Sequence, residues 1–335
     1  MAVVAGRMPA AVTPPRRRPK GATRPGRLRR RSPLRDRLEY GAVRAVVGLL
    51  ALLPLIVAMR LAEAVALLAW LVDAPHRRIG MTNLAIAFPE KPLRERRRIL
   101  RASFLNLGRM AAELAHLPRL SDEALRRMVR FADEPWWDAH VGAARTTGVL
   151  ILSGHFGNWE LLVYAHGRRG HPVHMVHRAI ANPLVDRWLN GLRARAGTRL
   201  LRKSRAGVDV LRALKARELL VLPFDQNSTR GLGVFVDFFG IPASTNSGIA
   251  RIALRSGAPV VPAFIVRDGA RARHTVHVLP VMYPEPSADF VDAVRRDTAL
   301  YSSVFEEMVR RYPEQWLWMH KRWKTRPLGE PKLYA

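Results

Sequence analysis

The hydrophobic positions along the chain change period several times, and each change marks an element. Ala45 to Met59 is an apolar run of fifteen residues without a charge, broken in the middle by Pro54. Arg60 and Glu63 then interrupt, and Ala64 to Val72 is apolar again. A spanning helix needs about 20 apolar residues, whereas runs of about 10–14 more often belong to a core, re-entrant or interfacial segment. Basic residues flank the run on both sides, with a long basic region before it and Arg77 and Arg78 after it. Segments rich in Lys and Arg stay on the cytoplasmic side, so both ends are expected on one face of a membrane, as in an anchor or re-entrant hairpin. The alternative is two amphipathic helices packed on the protein itself. The preceding basic region is too long for a cleaved signal peptide, and no small-residue cleavage site follows.

Beyond this stretch, apolar residues at 3–4 spacing (Ile99, Leu100, Phe104, Leu107, Met110, Ala111) predict a helix from Arg94 to His116, ended by Leu117-Pro118. Ser121-Asp122-Glu123 predicts a short helix to about Arg130. Strands and helices then alternate. Strands are expected over 148–152, 172–176, 219–224, 234–239, 260–266 and 275–281. Helices are expected from about Asn158, from Pro183 to Ala196, and over 208–216, 246–255 and 288–311. Such alternation predicts an α/β fold, a mostly parallel central sheet covered by helices, behind an N-terminal apolar helical membrane anchor. The expected divisions are a basic, disordered tail (1–40), an anchoring segment (41–75), one α/β domain (76–328) and a short tail (329–335).

Charge changes this picture at one end. The 335-residue chain has 56 Lys and Arg against 27 Asp and Glu, a formal net charge of +29, and residues 1–37 carry 12 of those bases with Asp36 as their single acid. The excess demands an anionic partner: nucleic acid, anionic lipid, a phosphorylated substrate or an acidic carrier protein. The tail reads either as a polybasic contact with anionic membrane lipids or as a solvated extension. The absence of Cys excludes a disulfide scaffold, a thiol nucleophile, thiolate zinc sites and iron–sulfur clusters.

The chemistry concentrates in Ser153-Gly154-His155-Phe156-Gly157-Asn158-Trp159-Glu160. In open α/β sheets reactive groups collect at the carboxyl edge of the strands, and His155 lies just past one. Asn158 is a good N-cap, and Glu160 falls in the first helical turn. On one continuous helix His155 and Glu160 would lie about 140° apart. With His155 in the turn, a bend at Gly157 is expected to fold the imidazole onto the Glu160 carboxylate, giving a general base and its orienter. The other reading is a strand–turn–helix junction with a merely capping carboxylate.

His-x4-Glu between strand and helix resembles the signature of the glycerolipid acyltransferase superfamily. The fuller string is similar to the branch that acylates lipid A precursors, the lauroyl and myristoyl transferases. The likeness extends through Asn83-Leu84-Ala85-Ile86-Ala87-Phe88-Pro89, His177-Arg178 with Asn182-Pro183-Leu184, and Leu222-Pro223-Phe224-Asp225-Gln226-Asn227. It continues in Gly233 to Gly240, Ala258 to Pro262, and Pro313 to Pro327 with its Trp316, Trp318 and Trp323. The resemblance implies transfer of a fatty acyl chain from an acyl-carrier-protein or CoA thioester to a hydroxyl of a lipid A precursor or related glycolipid. The expected place is the cytoplasmic face of the bacterial inner membrane. It implies His155 as general base and Glu160 as the residue that polarises it, with no cofactor or metal. It also implies Arg178 and Asp225 as polar residues of the site, Arg178 suiting an anionic group; Asn158 is grouped with them as substrate-binding. Asp-Gln-Asn at 225–227 departs from the second acid that lipid A members often carry there, which leaves open a phosphatidylinositol mannoside or another lysolipid as acceptor.

His171, His174 and His177 recur every third residue, but in a strand that period alternates faces, which argues against a metal site. Gly231-Leu232-Gly233 is only a fragment of a dinucleotide fingerprint. The sequence has no Gly-x-Ser-x-Gly elbow. Trp316, Trp318 and Trp323, among Lys321, Arg322 and Lys324, are either an interfacial aromatic belt or core aromatics beside a basic face. A basic nucleic-acid-binding protein is the competing class; it lacks a recognition-helix, zinc or RNP motif and leaves the apolar stretch unexplained.

Overall fold

Val149–Ser153 and Val260–Arg267 are largely apolar runs, and both are buried from end to end. Strands covered on both faces need such continuous runs. They form the centre of the sheet in the computed structural model of the protein, which describes residues 32–133, 148–170, 173–177, 179–202 and 206–334. In chain order the strands are β1 (Val129–Phe131), β2 (Val149–Ser153), β3 (Val173–His177), β4 (Thr198–Arg202), β5 (Leu219–Pro223), β6 (Gly233–Phe238), β7 (Ile241–Asn246), β8 (Val260–Arg267) and β9 (His274–Val278). Seven build one sheet in the order β1-β9-β8-β2-β5-β3-β4, and β6 and β7 pair as a separate antiparallel hairpin.

The sheet is mixed. From β8 to β4 all neighbours run parallel, but β9 returns antiparallel to β8, and β1 lies parallel to β9 at the edge. Strict alternation of strand and helix would have kept every neighbour parallel. The link between β8 and β9, residues 268–273, is too short for a crossover and closes as a hairpin.

The helices are α1 (Pro33–Leu52), α2 (Leu55–Val72), α3 (Ala74–Ala87), α4 (Leu93–His116), α5 (Asp122–Met128), α6 (Trp159–Arg168), α7 (Pro183–Arg195), α8 (Ala206–Lys215), α9 (Gly248–Ser256) and α10 (Phe290–Arg311). Period-2 alternation along β2 divides the core in two. Leu150 and Leu152 pack with α4, α8, α9 and α10 on one face. Val149 and Ile151 pack with α5, α6 and α7 on the other.

Several expectations change. The helix expected to Arg130 stops at Met128, and Val129–Phe131 joins the sheet edge instead. Helix α1 begins at Pro33, inside the segment expected as a tail; residues 1–31 lie outside the described residues. Its start is tied to the body by Asn182, whose Nδ2 donates to the Asp36 carbonyl (2.9 Å) while its Oδ1 caps α7. The chain end is also engaged. Tyr334 donates to Asn83 (2.5 Å) and accepts from the Trp323 amide (3.0 Å).

Helix α2 is long and apolar enough to cross a membrane by length and composition. Its packing is inverted relative to a soluble helix. Ala58, Ala62 and Ala66, four residues apart, face inward, while Val65, Leu68, Leu71 and Val72 are exposed. The small stripe allows close approach to α4: a Cβ on Gly108 would come 2.5 Å from the Ala62 carbonyl oxygen.

Candidate active site

The carboxyl ends of β2 and β5 lie side by side, with Ser153 opposite Pro223 in register. The turn after β2 carries His155, and the turn after β5 carries Asp225. Gly154 permits their approach, because a Cβ there would stand 2.8 Å from the Asp225 carboxyl carbon and 2.5 Å from the Phe305 ring. Gly157 has φ of +59°, and a Cβ on it would fall 1.8 Å from the Ile265 carbonyl oxygen. Only glycine fits that position. The segment after α10 clamps the same turn from outside: Gly157 N–H donates to the Gln315 carbonyl (2.8 Å) and Leu317 N–H to the His155 carbonyl (3.1 Å).

His155 Nδ1 lies 2.9 Å from Asp225 Oδ1. A carboxylate only accepts, so Nδ1 carries the hydrogen and Nε2 keeps the lone pair. The other carboxylate oxygen accepts from the Trp316 indole (2.9 Å), so both oxygens of the buried Asp225 are engaged. Trp159 meets the imidazole edge to face, with ring centroids 5.1 Å apart. Burial lowers the His155 pKa, but the charge and hydrogen bond of Asp225, with a smaller contribution from Glu160, outweigh it and hold the pKa above 6.5. Burial raises the Asp225 pKa, while His155 and the Trp316 hydrogen bond lower it by more, to about 2.

The partner expected for His155 was Glu160. The structure places Asp225 there instead. Glu160 accepts from Arg193 of α7 through both oxygens, at 2.8 and 2.5 Å. Glu160 sits in the first turn of α6, and its carboxylate is held from α7. Asn158, expected to bind substrate, is fully buried. Its Oδ1 caps α6 at the Leu161 amide (3.0 Å), and its Nδ2 donates to Glu113 (2.7 Å). Arg178 lies outside the described residues. The tryptophans resolve as core: Trp316, Trp318 and Trp323 are each at most 1% exposed. Of the histidine triplet, His171 is outside the described residues, His174 pairs with Glu218, and His177 faces the cleft.

Beneath the turn lies a buried ionic cluster that the sequence did not suggest. Arg267 forks onto both oxygens of Glu113, His274 Nε2 bonds the same carboxylate (3.0 Å), and Arg267 Nε donates to Asn106 (2.9 Å). Burial raises the Glu113 pKa, but His274 and Arg267 more than compensate and bring it down to about 2. The polar positions come from α4, β8 and β9, which local pattern cannot align.

Two cavities meet here. A cleft of about 550 Å³ at the sheet edge is lined by His155, Trp159, Met175, His177, Arg193 and Gln226, among others. A more apolar cavity of about 760 Å³ runs between α1, α2 and α4, past Leu49, Val65, Phe104 and Leu107 to His320. Gln226 borders both. His320 is fixed as neutral: its Nε2 accepts the Asn227 amide (2.9 Å), and burial pushes its pKa down to about 4.

A buried carboxylate–imidazole pair thus stands at the carboxyl edge of an α/β sheet, opening on a cleft and beside an apolar cavity, an arrangement that suits proton transfer on an amphiphilic ligand. The model of the bacterial lipid A biosynthesis acyltransferases matches residues 28–325. The lipid A biosynthesis lauroyltransferase of Escherichia coli K12 is 31% identical over 294 residues, covering 86% of this chain and 92% of that one. The palmitoleoyltransferase of the same organism is 26% identical over 257 residues (76% and 81% covered), and the myristoyltransferase 26% over 261 (77% and 78%). The chain belongs to the bacterial lipid A biosynthesis acyltransferase family and is an acyltransferase enzyme.

Proposed function

We propose that the protein moves a fatty acyl chain from an acyl-carrier-protein or acyl-CoA thioester to a hydroxyl of a lipid A precursor, at the cytoplasmic face of the inner membrane. The observation that carries the mechanism is the His155–Asp225 pair opening on the cleft. His155 Nε2 takes the proton of the acceptor hydroxyl as its oxygen attacks the thioester carbonyl carbon. The C–S bond then breaks, and the imidazolium returns the proton to the leaving thiolate. Asp225 holds the tautomer and stabilises the imidazolium. Direct attack needs no enzyme nucleophile and no metal.

Glu160 acts in this reading as a second carboxylate near the imidazole and as the holder of Arg193. Arg193 suits the phosphates of the acceptor or donor, the role that the family resemblance implies for Arg178. The apolar cavity between α1, α2 and α4 suits an acyl chain.

Membrane association is supported by the inverted packing of α2. Small residues inward and Leu and Val outward are what a helix against lipid requires, since lipid gives large apolar side chains no reason to hide. The basic residues 77 and 78 just past α2 suit an anionic surface.

The test is to incubate the purified protein with labelled acyl donor and bacterial lipid extract, and to identify the product by mass spectrometry. A labelled lipid A species, lost with His155→Ala, is expected. Absence of any acylated lipid product would overturn the reading. A different labelled glycolipid would move the acceptor while keeping the reaction.

A further inference from the structure

The opening turns of α4, residues 93–101, carry five arginines and a single acid, Glu95, which is paired with Lys91 (2.7 Å). Arg94, Arg97, Arg98 and Arg101 occupy positions i, i+3, i+4 and i+7, so they share one face of the helix within an arc of about 100°. Ile99 and Ser103 turn the other face to the core. All four arginines are exposed, as is Arg78 of α3, and none of the five has an ion-pair or hydrogen-bond partner among the described residues.

A cavity of about 470 Å³ lies between this face, α3 and the end of α2. Its lining is divided: Trp70, Met81 and Leu100 are apolar, and Arg77, Arg78 and Arg97 are cationic. Arg77 is committed to the fold, donating to the Trp70 and Leu71 carbonyls (2.5 and 2.6 Å) at the end of α2. Arg78 and Arg97 remain available to a ligand. The Trp70 indole N–H is buried and finds no acceptor among the described residues. A buried donor left unpaired is costly, so an acceptor that enters the cavity is bound with gain. Leu71 and Val72, next to Trp70 in the chain, are exposed.

We propose that this cavity binds the headgroup of an anionic phospholipid, with Arg78 and Arg97 on the phosphate, the Trp70 indole on an ester or glycerol oxygen, and the acyl chains along Leu71 and Val72. The proposal rests on the membrane-association reading of α2 and adds to it a lipid class and a place. Two features select a lipid. The planar guanidinium forks match phosphate oxygens. The cationic rim also passes directly into the outward apolar end of α2, and one amphiphile satisfies both. An acidic protein surface would answer the arginines but leave Leu71 and Val72 in water. Arg94, Arg98 and Arg101, beside the cavity, attract further headgroups of the same leaflet. A lipid seated here fixes the end of α2 at the surface. It thereby also holds the apolar cavity between α1, α2 and α4 against the membrane from which an amphiphile enters.

The experiment sediments the full-length protein with vesicles of phosphatidylcholine alone or with phosphatidylglycerol added. The wild type is compared with the double variant Arg78→Gln/Arg97→Gln. A control, Arg212→Gln/Arg295→Gln, removes the same charge from exposed sites on α8 and α10. Circular dichroism checks the fold of each. Partition onto the phosphatidylglycerol vesicles is expected to weaken about 10- to 30-fold in the double variant, since each arginine near an anionic surface carries about a fivefold factor. The control is expected to stay within about twofold of the wild type. Equal losses in the two variants would mean diffuse charge and overturn the site. A double variant that still binds vesicles but transfers more slowly from an acyl carrier protein, and not from acyl-CoA, would overturn it in favour of a protein docking face. A wild type that sediments with neither vesicle removes the membrane reading and the site with it. A wild type that sediments, with the double variant binding equally well, removes the site alone.

Discussion

His155 and Asp225 stand 70 residues apart in the chain and 2.9 Å apart in space, on the turns that follow two adjacent parallel strands. Glu160, five residues from the imidazole, is instead engaged by Arg193. The two carboxylates therefore separate by role, and substitution distinguishes them.

Asp225→Asn keeps a hydrogen-bond acceptor for the Trp316 indole but removes the charge that orients and stabilises the imidazolium. We expect transfer to fall about 10²- to 10⁴-fold, the range of general base catalysis, with the fold retained. Glu160→Gln leaves His155 paired and should cost less in turnover than Asp225→Asn. Steady-state kinetics with circular dichroism on each variant checks the order; equal losses would contradict it.

The pH dependence follows from the raised His155 pKa. The base must be neutral, so kcat/KM should rise with pH through an apparent pKa above 6.5. Asp225→Asn removes the main cause of that elevation and should move the limb to lower pH. For stability the sign is opposite: the stabilisation from His155 pairing is complete below its unfolded pKa and is lost as pH rises through the folded one. Rate profiles and thermal melts between pH 5 and 9 read the two effects separately.

The Glu113–Arg267–His274 cluster is a stability element beneath the His155 turn. Removing one partner strands buried charge, so Glu113→Gln should destabilise by about 3 kcal/mol or more at pH 7. The folded Glu113 pKa of about 2 lies below its ordinary 4.5. Its contribution is therefore present above pH 4.5 and is lost as pH falls toward 2. Urea melts at several pH values should show this acid dependence flattened in the variant.

The outward face of α2 should govern membrane partition. Changing Leu68, Leu71 and Val72 together to Ser leaves the inward Ala58, Ala62 and Ala66 stripe in place. The variant should fold, yet it should shift from the membrane pellet to the supernatant on sedimentation with vesicles. An unshifted distribution would mean that another surface makes the contact.

Much of the fold was legible because it depends on neighbours along the chain. The largely apolar β2 and β8, the α4 stripe, the Asn158 cap and the glycine turn around His155 all follow from local spacing. Edge strands were less legible. Val129–Phe131 is too short to show alternation, and Thr198–Arg202 follows a helix with its polar residues intact. The tryptophans were ambiguous because an indole suits both a core and an interface, and only burial separates the two.

The amino-acid sequence by itself determined that a histidine would sit on a tight turn at the carboxyl edge of an apolar strand, in an α/β chain with an apolar N-terminal stretch. It also carried the blocks by which the family is recognised. Only the tertiary structure decided which carboxylate meets that histidine, where Gln226 stands and which side of α2 is outward. Turns and caps are interactions among residues a few positions apart, so spacing encodes them. The pairing of His155 with Asp225 depends on β2 and β5 being neighbours in register, and strand order is set by how the whole core packs.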